Sequence, residues 1–524
     1  MLKHERENLL SFTSDVNDSN TQESLFKKSA EGVSGHGCSY MPRVSQAKGW
    51  RNKEMFAQID KIITAIDNAV WGLPLICLIM ATGIFLTARL GLVQIRHLGK
   101  AFKFMFKDEE DGSGEVTSFG ALCTALSATI GTGNITGVAT AIALGGPGAL
   151  FWMVIAAFFG MATKYAEGLL AIKYRTIDED GHVLGGPFYY IENGMGKKWT
   201  WLAKIFAFFG AGVGLFGIGT FTQVNSIASA VKNFFDPDMA HTVSLFGGNY
   251  SWATVIAGLF LTVCVGLVVL GGIQRIAKVS EIIVPFMAVL YVGLAVIIII
   301  ANITAVPVAL ASIVKSAFTG SALAGGAVGS MFVAMQKGVA RGIFSNESGL
   351  GSAPIAAAAA RTKEPVRQGL VSMTGTFIDT IVICTMTGLS IVIAGSWLNP
   401  ELEGVAITMD AFQKGLPFPS FVATFSLMLC LVFFAFTTIL GWNYYGERCV
   451  EYLFNRNKGV VMGYRILYIL AVFIGPYMTV KAVWNIADIF NALMAFPNLI
   501  ALLALNGVIV KETRDFHAKH NGSY

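Results

Sequence analysis

Charge is scarce in this chain of 524 residues: 14% are Asp, Glu, Lys or Arg, 54% are hydrophobic, and the mean hydropathy is +0.60. Soluble domains carry about a quarter charged residues, so that class is excluded. The formal charge of +5 is scattered, and no basic run is interleaved with aromatics, which excludes a nucleic-acid partner. Histidine is equally sparse, seven in all, with His517 and His520 near the C-terminus. No HExxH, GxSxG or GxxxxGKS/T pattern occurs, so zinc and serine hydrolysis and ATP-driven pumping lack their signatures. The seven cysteines follow no disulfide or metal spacing; five of them, including Cys123 and Cys384, lie inside apolar runs as small hydrophobes. One nucleotide-like pattern, Gly212-Val213-Gly214-Leu215-Phe216-Gly217, follows no strand signal and reads as a small-residue packing face. Neither an enzyme nor an organic cofactor is expected.

What remains is apolar length. About eleven hydrophobic spans, each near the ~20 residues a bilayer requires, run over 69–89, 117–146, 149–173, 204–231, 250–271, 279–301, 322–360, 368–395, 417–445, 463–480 and 483–510. They predict an all-α polytopic membrane protein, in contact with membrane lipid, whose body covers residues 55–513 and whose cytoplasmic tail is 514–524. Residues 1–54 are polar and Ser/Asn-rich, without the apolar core of a signal peptide. They are expected to be a disordered tail, either a regulatory arm or the product of an over-called start with Met55 as initiator. Basic residues set the orientation. The loops holding Arg96 to Lys107, Lys173 to Lys198, Arg275 to Lys278, Arg361 to Arg367 and Arg448 to Arg465 are rich in them, while the alternate loops offer little beyond Lys232, Lys315, Lys414 and Lys481. The first set is therefore cytoplasmic, with the C-terminus inside and the N-terminus outside. The basic residues of 1–54 conflict with that side and favour Met55 as the start.

Two spans are interrupted at their middles. Ser118 to Met153 carries Gly131-Thr132-Gly133-Asn134, and the span around Ala322 to Ala360 carries Phe344-Ser345-Asn346-Glu347-Ser348-Gly349. Unwound backbone survives at that depth only where it is buried in protein or lines a cavity. Freed carbonyls from Ser127 to Ile130 attract a cation, and freed amides from Gly133 to Thr136 attract an anion. Such a pair suits a small zwitterion and a metal ion. The plainer reading of the first stretch is a glycine-rich packing helix. Asn134-Ile135-Thr136-Gly137 and Asn346-Glu347-Ser348-Gly349 share the pattern Asn-x-Ser/Thr-Gly, one in each half, which points to a transporter with repeated halves around a central site.

The stretches ATIGTGNITGVATA, GGPGALFWM, FFGMATKYAE, RGIFSNESGLGSAPIAAAAA, SMTGTFIDT and LGWNYYGE closely resemble the alanine or glycine:cation symporter family, often called sodium:alanine symporters, over about Met55 to Thr513. The resemblance implies a leucine-transporter-like fold, two inverted repeats of five helices plus one extra N-terminal helix. It implies a secondary active symporter in a bacterial-type inner membrane, importing alanine or glycine with Na⁺, with H⁺ as the alternative ion. On this reading the substrate lies among Thr129, Gly131, Thr132, Gly133, Asn134, Gln223, Phe344, Ser345, Asn346 and Trp442, where the bulk of Gln223, Phe344 and Trp442 limits the pocket to small side chains. Na⁺ takes oxygens from Ser127 and Ile130, and by position from the hydroxyl pair Thr437 and Thr438. For the threonines the plainer role is a bond back to a carbonyl one turn earlier; for Trp442 it is an aromatic of the membrane interface.

Ionisable groups inside spans are costly: Lys164, Glu167, Lys337, Arg341, Glu347, Asp379 and Asp488. For most of them the plainer reading is structural pairing or closeness to the membrane interface. Glu347 lies in the second break, where it can pair with amides, gate the path or hold a basic partner, and Asp379 can serve as a proton or cation ligand.

Overall fold

The computed structural model describes residue 65 and residues 70–520 apart from 108, 110–111, 180, 246–247, 320–326 and 479. The tail expected at 1–54 lies outside the described residues. Helices dominate. α1 (Leu73–Arg89) opens on Pro74, whose fixed φ suits a first helical turn, and α2 (Leu98–Phe106) follows it. α3 (Ser118–Thr129) is capped by Thr117, whose hydroxyl accepts the Gly120 amide at 2.8 Å. At Ile130 the chain turns extended (φ −78°, ψ 93°), then rewinds as a π turn, Gly133–Gly137, before α4 (Val138–Gly145).

α5 (Gly148–Lys173) is the scaffold, packing against α1, α11 and α13. Its most apolar 18-residue stretch is 67% buried, against 33% and 28% for those of α8 (Trp252–Val269) and α9 (Gly272–Ala301), which turn Ile256, Phe260, Ile282 and Val289 outward as lipid-facing helices would. α6 (Thr200–Phe216) and α7 (Phe221–Phe235) divide the expected span 204–231 at Gly217–Thr220. α10 (Val306–Thr319) precedes α11 (Ala327–Asn346), and α12 (Ala353–Ala357) continues past the second break. α13 (Pro365–Thr376) and α14 (Thr385–Ala394) flank a π-wound stretch, Phe377–Cys384. α15 (Val405–Gly415), α16 (Ser420–Leu453), α17 (Lys458–Ile474), α18 (Val480–Ala504) and α19 (Asn506–His520) complete the body. Two small antiparallel hairpins close loops: β1 (Thr176–Ile177) with β2 (Val183–Leu184), and β3 (Thr242–Leu245) with β4 (Gly248–Ser251).

Seven described helical stretches are long and apolar enough to cross a membrane, eight with the pair α18–α19, bent by 57°. Among the other expected spans, α1 is 17 residues long and two are the broken ones. Small residues bring α11 onto α5: a Cβ on Gly338 would stand 2.2 Å from the Ala149 carbonyl oxygen, so only glycine permits this approach.

Candidate substrate and cation site

The two breaks meet in the middle of the body. A Cβ on Gly133 would lie 3.3 Å from the Ser345 Cα, which sets the first turn against the second. Asn134 ties the junction. Its Oδ1 accepts the Gly131 amide at 2.9 Å, and its Nδ2 donates to the Asp379 carboxylate at 2.7 Å and the Asp379 carbonyl at 3.2 Å. Asp379 also accepts from the hydroxyls of Ser345 (3.0 Å) and Thr380 (2.7 Å). Asn346 donates to Thr380 at 3.1 Å and accepts the Ser348 amide at 2.9 Å. All of these side chains are buried, and the donors reaching the Asp379 carboxylate are neutral. The π-wound stretch Phe377–Cys384 places Asp379 here, and nothing in residue spacing marks that winding.

On the substrate side the Thr132 amide donates to Gln223 Oε1 at 3.2 Å, while Gln223 Nε2 donates to the Ile218 carbonyl at 3.1 Å. Gln223 is thus seated by the α6–α7 break, a third interruption whose one sequence signal was Gly217-Ile218-Gly219. The hydroxyls of Thr132 and Thr136 are buried and lack a partner among the described residues. Thr136 and Gly137 line a cavity of about 490 Å³ that also takes in Asn225, Ser226, Arg341 and Glu403. Below Thr129, between Lys164, Ala357 and Gln368, only about 10 Å³ is open. Phe344 is buried under the Arg341 guanidinium, 5.4 Å from its ring, and Arg341 pairs with Asp488 at 3.5 Å. The Thr129 hydroxyl turns back to the carbonyls of Ala125 and Leu126.

At the expected cation position five oxygens lie close together. The Thr438 hydroxyl reaches the Ile130 carbonyl at 3.2 Å and the Phe434 carbonyl at 2.9 Å. The Thr437 hydroxyl also reaches Phe434 (3.0 Å), together with the Phe433 carbonyl (3.1 Å) and Met287 Sδ (3.5 Å). Both hydroxyls thus make the bond back to a carbonyl one turn earlier that was their plainer role, and Thr438 in addition reaches across to the first break. The Ser127 hydroxyl donates to the Thr124 carbonyl at 2.7 Å. A Cβ on Gly131 would come within 2.5 Å of the Thr438 hydroxyl and 3.1 Å of Gln223, so glycine alone leaves this space open. Among the described residues no cluster of three or more His, Cys, Asp or Glu could hold a metal, and the oxygens at Phe434 fit a hard monovalent cation better than a transition metal.

The second break is held from below. Glu347 adopts a left-handed backbone (φ 56°); its carboxylate accepts from Trp442 Nε1 at 3.0 Å and Ser352 at 2.5 Å, and its carbonyl from Lys164 at 3.3 Å. Glu167 accepts the amides of Gly349 (3.1 Å) and Gly351 (3.2 Å) and Asn498 Nδ2 at 2.7 Å. Trp442 is therefore fully buried and anchored to the break.

Broken helices around a polar centre, inside an apolar shell, define a membrane carrier. A solved structure shares the fold: the crystal structure of MhsT in complex with L-phenylalanine matches 77% of this chain and 93% of its own, with a TM-score of 0.55 at 14% identity. The fold is thus of the leucine-transporter type. Residues 56–523 match the sodium:alanine symporter family, and the chain belongs to that family. An uncharacterized transporter of Haemophilus influenzae is 55% identical over 459 residues, covering 87% of this chain and 96% of that protein. The sodium/alanine symporter AgcS of Methanococcus maripaludis is 48% identical over 466 residues, covering 87% and 97%. The chain is a transporter and not an enzyme.

Proposed function

We propose that this protein imports a small neutral amino acid, alanine or glycine, by symport with Na⁺ across the cytoplasmic membrane through alternating access. The carrying observation is that one segment, Ile130 to Asn134, takes part in both sites: its first carbonyl faces Thr438, and the Thr132 amide faces Gln223. A cation drawn to the first end orders the turn whose amides receive the substrate carboxylate, so each ligand favours the other. The ammonium group is taken by carbonyls near Phe344 and Ser345. Gln223, Phe344 and Trp442 close the side-chain end. In this reading the eleven spans form two inverted five-helix repeats behind α1, with the breaks after α3 and α11 in corresponding places. The N-terminus lies outside and the C-terminus inside, so the 490 Å³ cavity beside Thr136 is the external vestibule. The narrow space below Thr129 is the closed internal path.

The Asp379 carboxylate, met by neutral donors, favours a second cation or a proton there. The test of the main reading is uptake of labelled alanine into proteoliposomes with and without an inward Na⁺ gradient, together with counterflow. Accumulation that needs the gradient supports symport. Equilibration without accumulation overturns it in favour of a facilitator or channel.

A further inference from the structure

A pocket of about 530 Å³ opens at the cytoplasmic ends of α16 and α17, away from the transport site, and it is lined by Arg456, Lys458 and Arg465. His182, Glu451 and Met462 line it as well. Two of the arginines are partly offset: Arg456 pairs with Asp178, and Arg465 grips Glu447 through two bonds of 2.7 and 2.6 Å. Lys458 is exposed and has no ion-pair partner among the described residues. It also begins a stripe. Met462, Ile466, Leu470 and Ile474 follow at intervals of four and are 43%, 51%, 50% and 45% exposed, while Tyr464, Tyr468 and Val472 turn inward. Residues four apart share a helix face, so one uncovered apolar track leads from the basic pocket along α17. From Met462 to Ile474 it spans roughly 18 Å, the depth of one leaflet at about 15 Å of hydrocarbon.

We propose that an anionic phospholipid of the cytoplasmic leaflet binds here, its phosphate in the Arg456–Lys458–Arg465 pocket and its acyl chains along the Met462–Ile474 stripe. Charge complementarity selects the headgroup and the continuous apolar track selects a molecule with tails. A free phosphate would use the cations and leave the stripe bare. Because Arg456 and Arg465 are also held by Asp178 and Glu447, a bound phosphate competes for the same guanidinium groups that join the β1–β2 loop to α16 and α17.

The test uses the full chain, purified in detergent and titrated with phosphatidylglycerol or phosphatidylcholine, with bound lipid counted by native mass spectrometry. The parent is expected to retain phosphatidylglycerol at least roughly tenfold more tightly than phosphatidylcholine. Arg456→Gln/Lys458→Gln should lose most of that preference, and Lys458→Arg should keep it. Lys458→Gln alone, at an exposed position without an ion-pair partner among the described residues, should lose part of the preference with unchanged thermal unfolding, which separates lost binding from lost fold. Equal retention of the two lipids by the parent, or undiminished preference in the double variant, overturns the proposal. So does inorganic phosphate at matched concentration displacing the lipid completely, since that would make the tails irrelevant.

Discussion

Thr437→Val and Thr438→Val probe the cation oxygens most directly, because valine keeps threonine's shape and removes only the hydroxyl. The structure ranks the two. Thr438 crosses from α16 to the Ile130 carbonyl on the first break, whereas Thr437 bonds within its own helix and to Met287. Removing the Thr438 hydroxyl leaves the buried Ile130 carbonyl without that donor, a loss of about 1–3 kcal/mol in stability. If a hydroxyl holds Na⁺ about as strongly as it bonds a charged group, about 1.5–3 kcal/mol, apparent Na⁺ affinity should fall between roughly tenfold and somewhat over a hundredfold. Thr437→Val should fall less, and the double variant should lose Na⁺-driven uptake. The assay is the initial rate of labelled alanine uptake against external Na⁺, with the amount of folded protein fixed by fluorescence-detected gel filtration. A Thr438→Val protein with the parent's half-saturating Na⁺ would refute the placement, and Asp379 would become the next position to vary.

Asn134→Leu removes the amide that ties Gly131 to Asp379 and is expected to abolish uptake while the protein still reaches the membrane; near-normal transport counts against the site. Trp442→Ala should admit larger side chains in graded fashion, about 1–3 kcal/mol per pocket change, read as new competition by valine or leucine; loss of alanine uptake without such competition assigns Trp442 to holding Glu347 alone. Gly338→Ala sets a methyl against the Ala149 backbone and should cost about 1–3 kcal/mol in thermal unfolding, so a parental melting point contradicts the close approach. In the β1–β2 hairpin, hydrogen bonds donated by His182 to the Glu115 and Glu451 carboxylates raise it from 6.5 to about 9, against opposing burial and Arg448. A raised base contributes its full stability below about 6.5 and loses it as pH climbs through about 9, at under about 1.4 kcal/mol per pH unit. Melting points should therefore fall over that window in the parent and flatten in His182→Gln.

Much of the fold was legible because lipid imposes simple rules. Long apolar runs stand out against polar loops, and seven of the expected spans reappear as helices long enough to cross a membrane. Both central breaks were legible too, since glycine and asparagine in mid-span are unusual enough to mark unwound backbone. The α6–α7 break was not read, because its glycines stand in a run already rich in glycine and phenylalanine. The π winding at Phe377–Cys384 is invisible in principle: it shifts the hydrogen-bond register by one residue and asks for no special side chain.

That hidden register has consequences for how the site is built. Asp379 sits where the winding aims it at Asn134 and Ser345, so a third helix joins the two broken ones. Glu167 and Lys164, three apart on α5 and so on one helix face, reach separately into the second break, one to the amides of Gly349 and Gly351, the other to the Glu347 carbonyl. Sequence spacing can say that two charges share a helix face; it cannot say that the opposing wall offers each a better partner. The unwound segment needs those partners, since backbone groups freed at this depth have no water to bond. Four of the seven ionisable groups within the spans, Lys164, Glu167, Glu347 and Asp379, are therefore explained by the breaks, while Arg341 and Asp488 pair with each other. The second unwound turn regains hydrogen bonds from α5 and α18 through Lys164, Glu167 and Asn498, and the first through Asn134, which Asp379 holds in place, and through Gln223.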